Sequence, residues 1–350
     1  MVRRDMSPTL LITGIAGFIG SNLAQAALRS GFRVRGIDDF STGSEDNLAS
    51  FRDQIQLFRG SITDPVVLQR ACVGVDCIHH HAAIVSVPKS MEDPTRNDAV
   101  NVSGTLNVLI AARDAGVRRV VFASSSSVYG EPVTFPVSET VPVDPLSPYA
   151  VSKAAGELYM RMFGHSFGVE TVCLRYFNVF GPNQDPNSGY SGVLARFTMQ
   201  MLRGLQPTIF GDGEQTRDFT YVEDVARANL LTCCAASEKV NQRTFNVATG
   251  RSVSLNQIYG TLGQITGYPR PAVHAEARHG DIRHSVADIS GIQNALDFHP
   301  TVGLEEGLRR TVQWYADKLQ PRHERQTSIR PALELPVPMA EPQPSLQAWS

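Results

Sequence analysis

The chain has 350 residues, of which 42% are hydrophobic, and a formal net charge of −2. This content is sufficient for a large α/β core, and the balanced charge offers no basic surface of the kind that binds nucleic acid. No apolar run approaches the ~20 residues that cross a bilayer, so neither nucleic acid nor membrane is expected as a partner.

The cysteines and the first residues indicate a compartment. The five cysteines are odd in number, form no Cys-x-x-Cys pair and mostly lie in apolar runs. Such residues are typical of reduced, buried thiols. The segment from Met1 to Pro8 lacks the apolar region of a signal peptide. We therefore predict a cytoplasmic protein.

The first elements predict a dinucleotide site. Thr9 to Thr13 has the pattern of a strand and Ser21 to Arg29 that of a helix, with Gly14, Gly17 and Gly20 between them. Glycines at this spacing allow a tight turn and close approach to a pyrophosphate. The free N–H groups and the dipole of the helix then bind the same anion. The position between strand and helix is the context that this motif requires.

The second strand, Phe32 to Ile37, ends at Asp38 and Asp39. An acidic side chain about 20 residues past the glycines can bind the adenosine ribose and would repel a 2′-phosphate. NAD is therefore predicted over NADP, although the nearby Arg33 and Arg35 weaken that preference. Ordinary turn chemistry is the alternative for the two aspartates.

The third and fourth strands are predicted at Leu57 to Arg59 and Val75 to His80. The small residues Ala82 and Ala83 would let the chain pass against a flat cofactor. The run His79 to His81 does not predict a metal site, because neighbouring side chains on a strand point to opposite faces.

A helix from Val100 to Ala115 is followed by a fifth strand, Val117 to Ala123, and then by the serines Ser124 to Ser127. Ligands bind at the carboxyl ends of strands in an open parallel sheet. Hydroxyl groups there could bond a substrate oxygen and relay protons. A flexible polar loop is the alternative.

The segment Tyr149-Ala-Val-Ser-Lys153 carries the strongest chemical signal. In a helix, residues four apart lie on one face. An ammonium near a phenol favours the phenolate, so we expect Lys153 to lower the pKa of Tyr149 from its usual value of about 10. Such a tyrosine can take a proton from a sugar hydroxyl and return it.

Further strands at Thr171 to Arg175 and Arg243 to Val247 extend the same sheet. The predicted fold class is α/β: a Rossmann-type doubly wound parallel sheet with a smaller, mixed α/β C-terminal substrate domain. We assign residues 1–180 and 214–250 to the NAD-binding domain and residues 181–213 and 251–320 to the substrate domain. The proline-rich residues 321–350 are predicted to be a disordered tail.

In this order and spacing, the glycine triplet, the acidic strand end, the serine run and Tyr-x-x-x-Lys resemble the extended short-chain dehydrogenase/reductase family, from about Thr9 to Tyr315. Within that family the chain is similar to NAD-dependent nucleotide-sugar 4-epimerases, in particular those acting on UDP-N-acetylglucosamine. The stretches that carry this closer likeness are residues 39–43, 145–153, 175–181, 184–187, 211–219 and 280–288.

The resemblance implies a role for each matching position. Tyr149 would be the catalytic base and acid, Lys153 would bind the nicotinamide ribose and lower the pKa of the tyrosine, and Ser125 would bond the reacting 4-hydroxyl. The implied NAD-binding residues are Gly14, Gly17, Phe18, Ile19, Gly20, Asp38, Asp39, Ser41, Gly43, Ser61, Ile62, Ala82, Ala83, Asn101, Ser124, Tyr149, Lys153 and Tyr176.

A UDP-sugar is the implied substrate. Its implied contacts are Ser125, Ser126, Ser127, Tyr149, Asn178, Val193, Arg217, Arg278, Asp281 and Ser285. Arg217 and Arg278 would clamp the diphosphate, since guanidinium groups match paired phosphate oxygens. Asp281 and Val193 would lie at the uridine, and Asn178 at the sugar or its phosphates.

Three positions distinguish this chain within the family. Ser61 replaces an aspartate that usually contacts adenine. Val85 stands where hexose-specific epimerases often have lysine. Ser285 stands where a bulky residue narrows the sugar pocket of enzymes restricted to plain hexoses, so a serine leaves room for a 2-acetamido group. The alternative for Ser285 is a surface serine that has no role in substrate binding.

The predicted function is 4-epimerisation of UDP-N-acetylglucosamine, or of its uronate form, through a 4-keto sugar with NAD+ recycled. UDP-glucuronate and UDP-glucose are alternative substrates. A dehydratase or decarboxylase is disfavoured because no carboxylate adjoins Ser125, and a non-catalytic dinucleotide-binding regulator because Tyr149 and Lys153 are both present. The resemblance also implies a homodimer, joined through a four-helix bundle of Asp98 to Ala115 and Tyr149 to Phe163.

Overall fold

The structure is a computed structural model that describes residues 7–186, 192–277 and 282–319. The strands are β1 (Thr9–Thr13), β2 (Arg33–Asp38), β3 (Ile55–Arg59), β4 (Cys77–His80), β5 (Arg119–Ser125), β6 (Glu170–Tyr176), β7 (Val179–Phe180), β8 (Thr208–Phe210), β9 (Thr216–Arg217), β10 (Thr220–Tyr221), β11 (Arg243–Val247), β12 (Val253–Ser254) and β13 (Val273–Ala275).

The helices complete the chain order. They are α1 (Phe18–Arg29), α2 (Pro65–Cys72), α3 (Val87–Glu92), α4 (Pro94–Asp98), α5 (Gly104–Asp114), α6 (Pro148–Ser166), α7 (Val193–Leu202), α8 (Val222–Cys234), α9 (Ser237–Val240), α10 (Leu255–Thr266), α11 (Ser290–Leu296) and α12 (Leu304–Leu319).

Seven strands form the central sheet in the order β11-β6-β5-β4-β1-β2-β3. Every neighbouring pair in this sheet is parallel. The strand order reverses between β1 and β4, and a crevice for ligands forms at such a switch point. The predicted Rossmann-type sheet is therefore confirmed, and its ligand edge is the one at which β1, β4, β5 and β6 end.

Both faces of the sheet are covered by helices. Because successive side chains of a strand point in opposite directions, each strand contributes apolar residues to both layers. Leu10 and Ile12 lie in one buried cluster with residues of α1, α8 and α11. Leu11 lies in the other, with residues of α2, α5 and α6. Burial of this kind contributes roughly 25 cal/mol per Å² of apolar surface, and it fixes which residues of the strand ends face each layer.

Several predicted boundaries differ from the structure by a few residues, and two of these differences lie near the ligand edge of the sheet. The helix predicted from Val100 continues upstream through a π-helical turn, Ala99–Ser103, into α4. A π turn inserts an extra residue and often marks a functional site. Strand β5 runs to Ser125, so Ser124 and Ser125 belong to the strand rather than to a flexible loop.

A third buried cluster lies in the C-terminal half of the chain. It contains Phe180, Phe197, Ile258 and Leu308, so it joins α7, α10 and α12 to the short strands between them. The pairs β7–β10, β9–β12 and β8–β13 complete this region. The division into two domains stays a prediction, and the proline-rich tail lies outside the described residues. Among the residues described, no helix combines the length and apolarity needed to cross a membrane.

Candidate active site

The glycine loop joins β1 to α1 and lies against the end of β4. Gly14 has φ 72°, which favours glycine, and a Cβ there would lie 2.8 Å from the backbone nitrogen of Ala82. A Cβ on Gly20 would overlap the carbonyl oxygen of Gly14. No side chain caps the start of α1 at Gly17. Because the first N–H groups of a helix lack intrahelical partners, those of Phe18 and its neighbours can bind an anion.

Asp38 ties the end of β2 to this loop. Its buried carboxylate accepts hydrogen bonds from the backbone N–H groups of Ala16 and Phe40, both at 2.8 Å. Burial raises the pKa of Asp38, and the two backbone bonds oppose that rise. A Cβ on Gly43 would lie 2.9 Å from the same carboxylate, so the loop after β2 passes close to it.

Asp39 and Ser61 make local turn contacts at the same edge. Asp39 is exposed and accepts the N–H of Ser41 at 2.9 Å, which is the turn chemistry weighed for it from sequence. The Ser61 hydroxyl accepts the Thr63 N–H at 3.2 Å and the Thr63 hydroxyl at 2.9 Å. Ile62 is buried in the core. Their contacts with the cofactor stay predictions.

Asn101, on the π-helical turn, clamps two segments that border the site. Its side-chain oxygen accepts the Ile84 N–H at 2.8 Å, and its nitrogen donates to the Ile84 carbonyl and to the Ser152 hydroxyl, both at 3.0 Å. The segment Ala82–Ile84 and the start of α6 are thereby held together. These bonds are all with protein, so direct cofactor contact by Asn101 stays a prediction.

Tyr149, Lys153 and Ser125 lie close together at the end of β5. Tyr149 and Lys153 are buried one turn apart on α6, and the side chains of Tyr149 and Ser125 share a hydrogen bond. The ammonium of Lys153 donates to the Ala123 carbonyl at 2.7 Å and lies 5.8 Å from the centre of the Tyr149 ring. A tyrosine, a hydroxyl partner and a buried cation thus occupy the crevice end of β5.

The expected lowering of the Tyr149 pKa is wrong for the protein without ligands. Burial raises the pKa of Tyr149, and the hydrogen bond with Ser125 opposes this only in part. Burial also lowers the pKa of Lys153 to about 8, while the nearby Glu157 carboxylate acts to raise it. Desolvation is the largest cause of both shifts, and the Lys153 ammonium is bonded to the Ala123 carbonyl rather than to the phenol.

Two further predicted site residues, Ser124 and Tyr176, form hydrogen bonds with other side chains of the protein. The Ser124 hydroxyl donates to Glu157 at 2.5 Å, and the Tyr176 hydroxyl donates to Asn229 at 3.1 Å. Ser126 is half-buried, and Ser127 has a buried hydroxyl that lacks a hydrogen-bond partner in the structure. Because a buried hydroxyl without a partner is unfavourable, the Ser127 hydroxyl is available to bond a ligand.

Two residues predicted to contact the substrate, Arg217 and Ser285, lie on neighbouring segments. The Thr216 N–H donates to the Arg283 carbonyl at 3.0 Å, and the Ser285 N–H donates to the Thr216 carbonyl at 3.1 Å. Arg217 follows on β9, and Ser285 is half-buried. Asn178 is exposed just after β6, and Val193 begins α7. Arg278 and Asp281 lie outside the described residues.

The three histidines alternate in direction, as predicted. His80 bonds Thr13 at 2.8 Å and Thr105 at 2.9 Å, whereas His79 bonds Asn229 at 3.2 Å on the opposite face. His79 instead groups with two cysteines. The possible ligand atoms of Cys77, His79 and Cys233 all lie within 4.8 Å of one another, and all three residues are buried.

Sequence reasoning missed Glu157 and Arg175. These residues form a buried ion pair with two parallel hydrogen bonds, at 2.9 and 2.6 Å. A signal was available, because Tyr149, Lys153 and Glu157 recur every four residues and therefore share one helical face. A carboxylate on the face that carries a buried lysine is a candidate partner for it.

The residues present fit NAD. The glycine loop packs so closely that a Cβ at Gly14 or Gly20 would clash with backbone, and the first turn of α1 has no capping side chain, so its N–H groups can bind a pyrophosphate. Asp38 is placed to accept ribose hydroxyls, since a carboxylate has lone pairs beyond the two that Ala16 and Phe40 use. The opposite end of the crevice holds Lys153 and Tyr149.

Two solved structures are similar to the whole chain. UDP-glucose 4-epimerase from Thermotoga maritima, solved with UDP-glucose, is 38% identical with a TM-score of 0.84, covering 89% of this chain and 100% of that one. UDP-N-acetylglucosamine 4-epimerase from Methanobrevibacter ruminantium, in complex with UDP-N-acetylmuramic acid, is 37% identical with a TM-score of 0.85, covering 90% and 100%.

Sequence comparison agrees with the structural likeness. A UDP-glucose 4-epimerase from Mycolicibacterium smegmatis is 39% identical over 314 residues, which are 89% of this chain and 99% of that protein. Residues 10–248 match the sequence profile of the NAD dependent epimerase/dehydratase family. The chain therefore belongs to the NAD dependent epimerase/dehydratase family, and NAD is its cofactor.

Proposed function

We propose that this NAD-dependent epimerase inverts carbon 4 of a UDP-sugar and that UDP-N-acetylglucosamine is its preferred substrate, interconverted with UDP-N-acetylgalactosamine. The similar proteins named above act on UDP-sugars, which supports the nucleotide part of the proposal. The choice of sugar is supported by the small residue Ser285, whose backbone N–H is hydrogen-bonded to Thr216, the residue before Arg217.

In this proposal the chain supplies proton transfer and orientation. When bound, the cofactor would supply a hydride acceptor and a positive charge in its oxidised form, and the hydride donor of the return step in its reduced form. Tyr149 removes the proton of the 4-hydroxyl and later returns it to the same oxygen, after the sugar has turned the opposite face of carbon 4 towards the cofactor. Ser125, hydrogen-bonded to Tyr149, holds the same oxygen. The Tyr149 pKa is raised in the protein alone, so proton removal depends on the positive charges of Lys153 and of the bound cofactor.

The pocket wall favours a sugar with a 2-acetamido group. Ser285 is held by its backbone beside β9, so its short side chain is fixed near the predicted phosphate clamp at Arg217. A serine in this place leaves a volume that a tyrosine or phenylalanine would fill. Val85, 67% exposed, adds no charge that would select a plain hexose.

Product formation without added NAD tests the proposal. The purified protein is incubated with UDP-N-acetylglucosamine, UDP-glucose and UDP-glucuronate in separate reactions, and the products are separated by chromatography. We expect UDP-N-acetylgalactosamine to form fastest. Faster conversion of UDP-glucuronate or UDP-glucose would refute the sugar assignment, and a requirement for stoichiometric NADH would refute the recycled-cofactor mechanism.

A homodimer is also part of the proposal. On α6 the apolar side chains of Val151, Leu158 and Met162 are exposed by 51, 69 and 39%. Their spacing of seven and four places them on one stripe of the helix. A second copy packed through α6 and α5 would bury this stripe. The described cysteines are all free thiols, which supports a reducing compartment such as the cytoplasm.

A further inference from the structure

Glu157 lies beneath the proposed catalytic pair and has no assigned role. It follows Lys153 by one turn of α6, as Lys153 follows Tyr149, so the three side chains share one face. Its side chain is 11% exposed, and that of Arg175 is 6% exposed. A carboxylate buried to this extent requires a specific partner, and Glu157 has two.

The partners of Glu157 come from two strands. From β6, Arg175 donates through Nε to Oε1 at 2.9 Å and through Nη2 to Oε2 at 2.6 Å. From β5, the Ser124 hydroxyl donates to Oε1 at 2.5 Å. Bidentate and charge-assisted bonds of this kind are short and directional. Glu157 therefore fixes α6 against the strand whose next residue is Ser125.

Arg175 is itself held on its other side. Its guanidinium lies 4.6 Å from the centre of the Tyr129 ring, and the Tyr129 hydroxyl donates to Asn246 at 2.7 Å. Asn246 donates to the carbonyls of Val137 and Asp288 at 2.9 and 3.0 Å. A chain of polar contacts thus runs from the catalytic helix to the segment that follows Ser285.

We propose that Glu157, fixed by Arg175 and Ser124, is a positioning residue that acts through Lys153, one turn away on α6, and sets the position of Ser125 against Tyr149. The inference rests on the proposed roles of these three residues in epimerisation. In this proposal the ion pair of Glu157 and Arg175 contributes to catalysis by acting on Lys153 and Ser125.

The charge around Lys153 supports this role. Its ammonium faces Tyr149 and Glu157 on its own helix, the Ala123 carbonyl and the Phe122 ring on β5, and the histidines His80 and His81 on β4. Both histidines are neutral, because burial lowers their pKa values. Glu157 is the carboxylate that acts to raise the pKa of Lys153 against burial. Removing the Glu157 carboxylate would leave the positive charge of Arg175 without its negative partner.

The pH dependence of turnover tests the inference. In Glu157→Gln the shape is kept and the negative charge is lost, so the alkaline limb of kcat/KM, where Lys153 loses its proton, should move to lower pH by about one unit. At pH 7.5 a one-unit shift lowers the protonated fraction of Lys153 about threefold, so we expect a loss of about threefold in kcat. Glu157→Asp, which restores the carboxylate, should return the limb towards that of the wild type. Glu238→Gln, an exposed change of equal charge on α9, should leave it in place.

Folding of Glu157→Gln is checked by circular dichroism and by its NAD content. The double variant Glu157→Gln/Arg175→Met leaves no arginine without its carboxylate partner and is the second test. Its limb should lie between those of the wild type and the single variant. A limb at the wild-type pH in either folded variant would overturn the inference. If the wild type converts no UDP-sugar, the proposed function has failed instead.

Discussion

The carboxylate of Asp38 accepts the backbone N–H of Ala16 at 2.8 Å, so the end of β2 and the glycine loop form one rigid edge of the crevice. Replacing Asp38 with alanine removes this bond and the predicted ribose contact. Hydrogen bonds to a charged group are worth about 1.5–3 kcal/mol, so we expect NAD affinity to fall at least tenfold. NAD released from denatured protein measures the effect.

The matched control for this change is Asp39→Ala. Asp39 is exposed and bonds only the Ser41 N–H among the contacts described, so its loss should have a smaller effect on NAD content. Equal losses in the two variants would contradict the assignment of Asp38 as the principal ribose ligand.

Tyr149→Phe removes the proposed proton carrier and keeps the ring. General acid–base groups contribute about 10²–10⁴-fold, so kcat should fall by about a thousandfold while the fold and NAD content stay unchanged. Tyr159→Phe, a half-buried tyrosine farther along α6, is the control. Activity within tenfold of the wild type in Tyr149→Phe would show that another group carries the proton.

Lys153→Met should stabilise the NAD-free protein at pH 7. Burial lowers the pKa of Lys153 from 10.5 to about 8, a difference of about 2.5 units, which corresponds to roughly 3 kcal/mol. Below pH 8 both folded and unfolded chains carry the proton, and the wild type bears the full cost. Between pH 8 and about 10.5 the unfolded chain binds more protons, so wild-type stability rises with pH.

The advantage of the methionine variant should therefore shrink across that interval. Urea denaturation of both proteins at pH 7 and pH 10 provides the comparison. An advantage that grows with pH would mean that Lys153 is stabilised, rather than destabilised, by its surroundings.

Ser285→Tyr should change the sugar preference. A tyrosine would fill the space proposed for the acetamido group, so turnover of UDP-N-acetylglucosamine should fall tenfold or more, since misfit in a pocket costs about 1–3 kcal/mol. Turnover of UDP-glucose should be retained. Ser285→Ala keeps the space and should preserve the wild-type preference. Equal losses for both sugars in Ser285→Tyr would place the pocket elsewhere.

Leu158→Glu should produce a monomer if α6 forms the dimer interface. The side chain is 69% exposed in the single chain, so the change has little effect on folding of the monomer. Light scattering after size exclusion measures the mass. Val66→Glu on α2, at 62% exposure, adds the same charge away from α6 and should leave the dimer intact.

The sequence predicted the parts of the site that depend on local spacing. Gly14, Gly17 and Gly20 lie between a strand and a helix, and Tyr149 and Lys153 lie one turn apart, because both patterns are set by neighbours in the chain. The alternating histidines follow from strand geometry in the same way.

Contacts between residues far apart in the chain could not be predicted from local spacing. Asn101 binds Ser152, 51 residues away, and Glu157 binds Ser124 across 33 residues. The Tyr149 pKa was misjudged for a related reason. Spacing placed the lysine on the correct face, but burial and the bond from Lys153 to Ala123 depend on the packed sheet.

The proposed wall of the sugar pocket is held by main-chain bonds from Thr216 to Arg283 and Ser285. Bonds of this kind do not depend on which side chain the residue carries. Position 285 can therefore accept residues of different sizes while the wall keeps its path. One substitution at a single site could move such an enzyme from one sugar to another during divergence, and the catalytic helix would remain untouched.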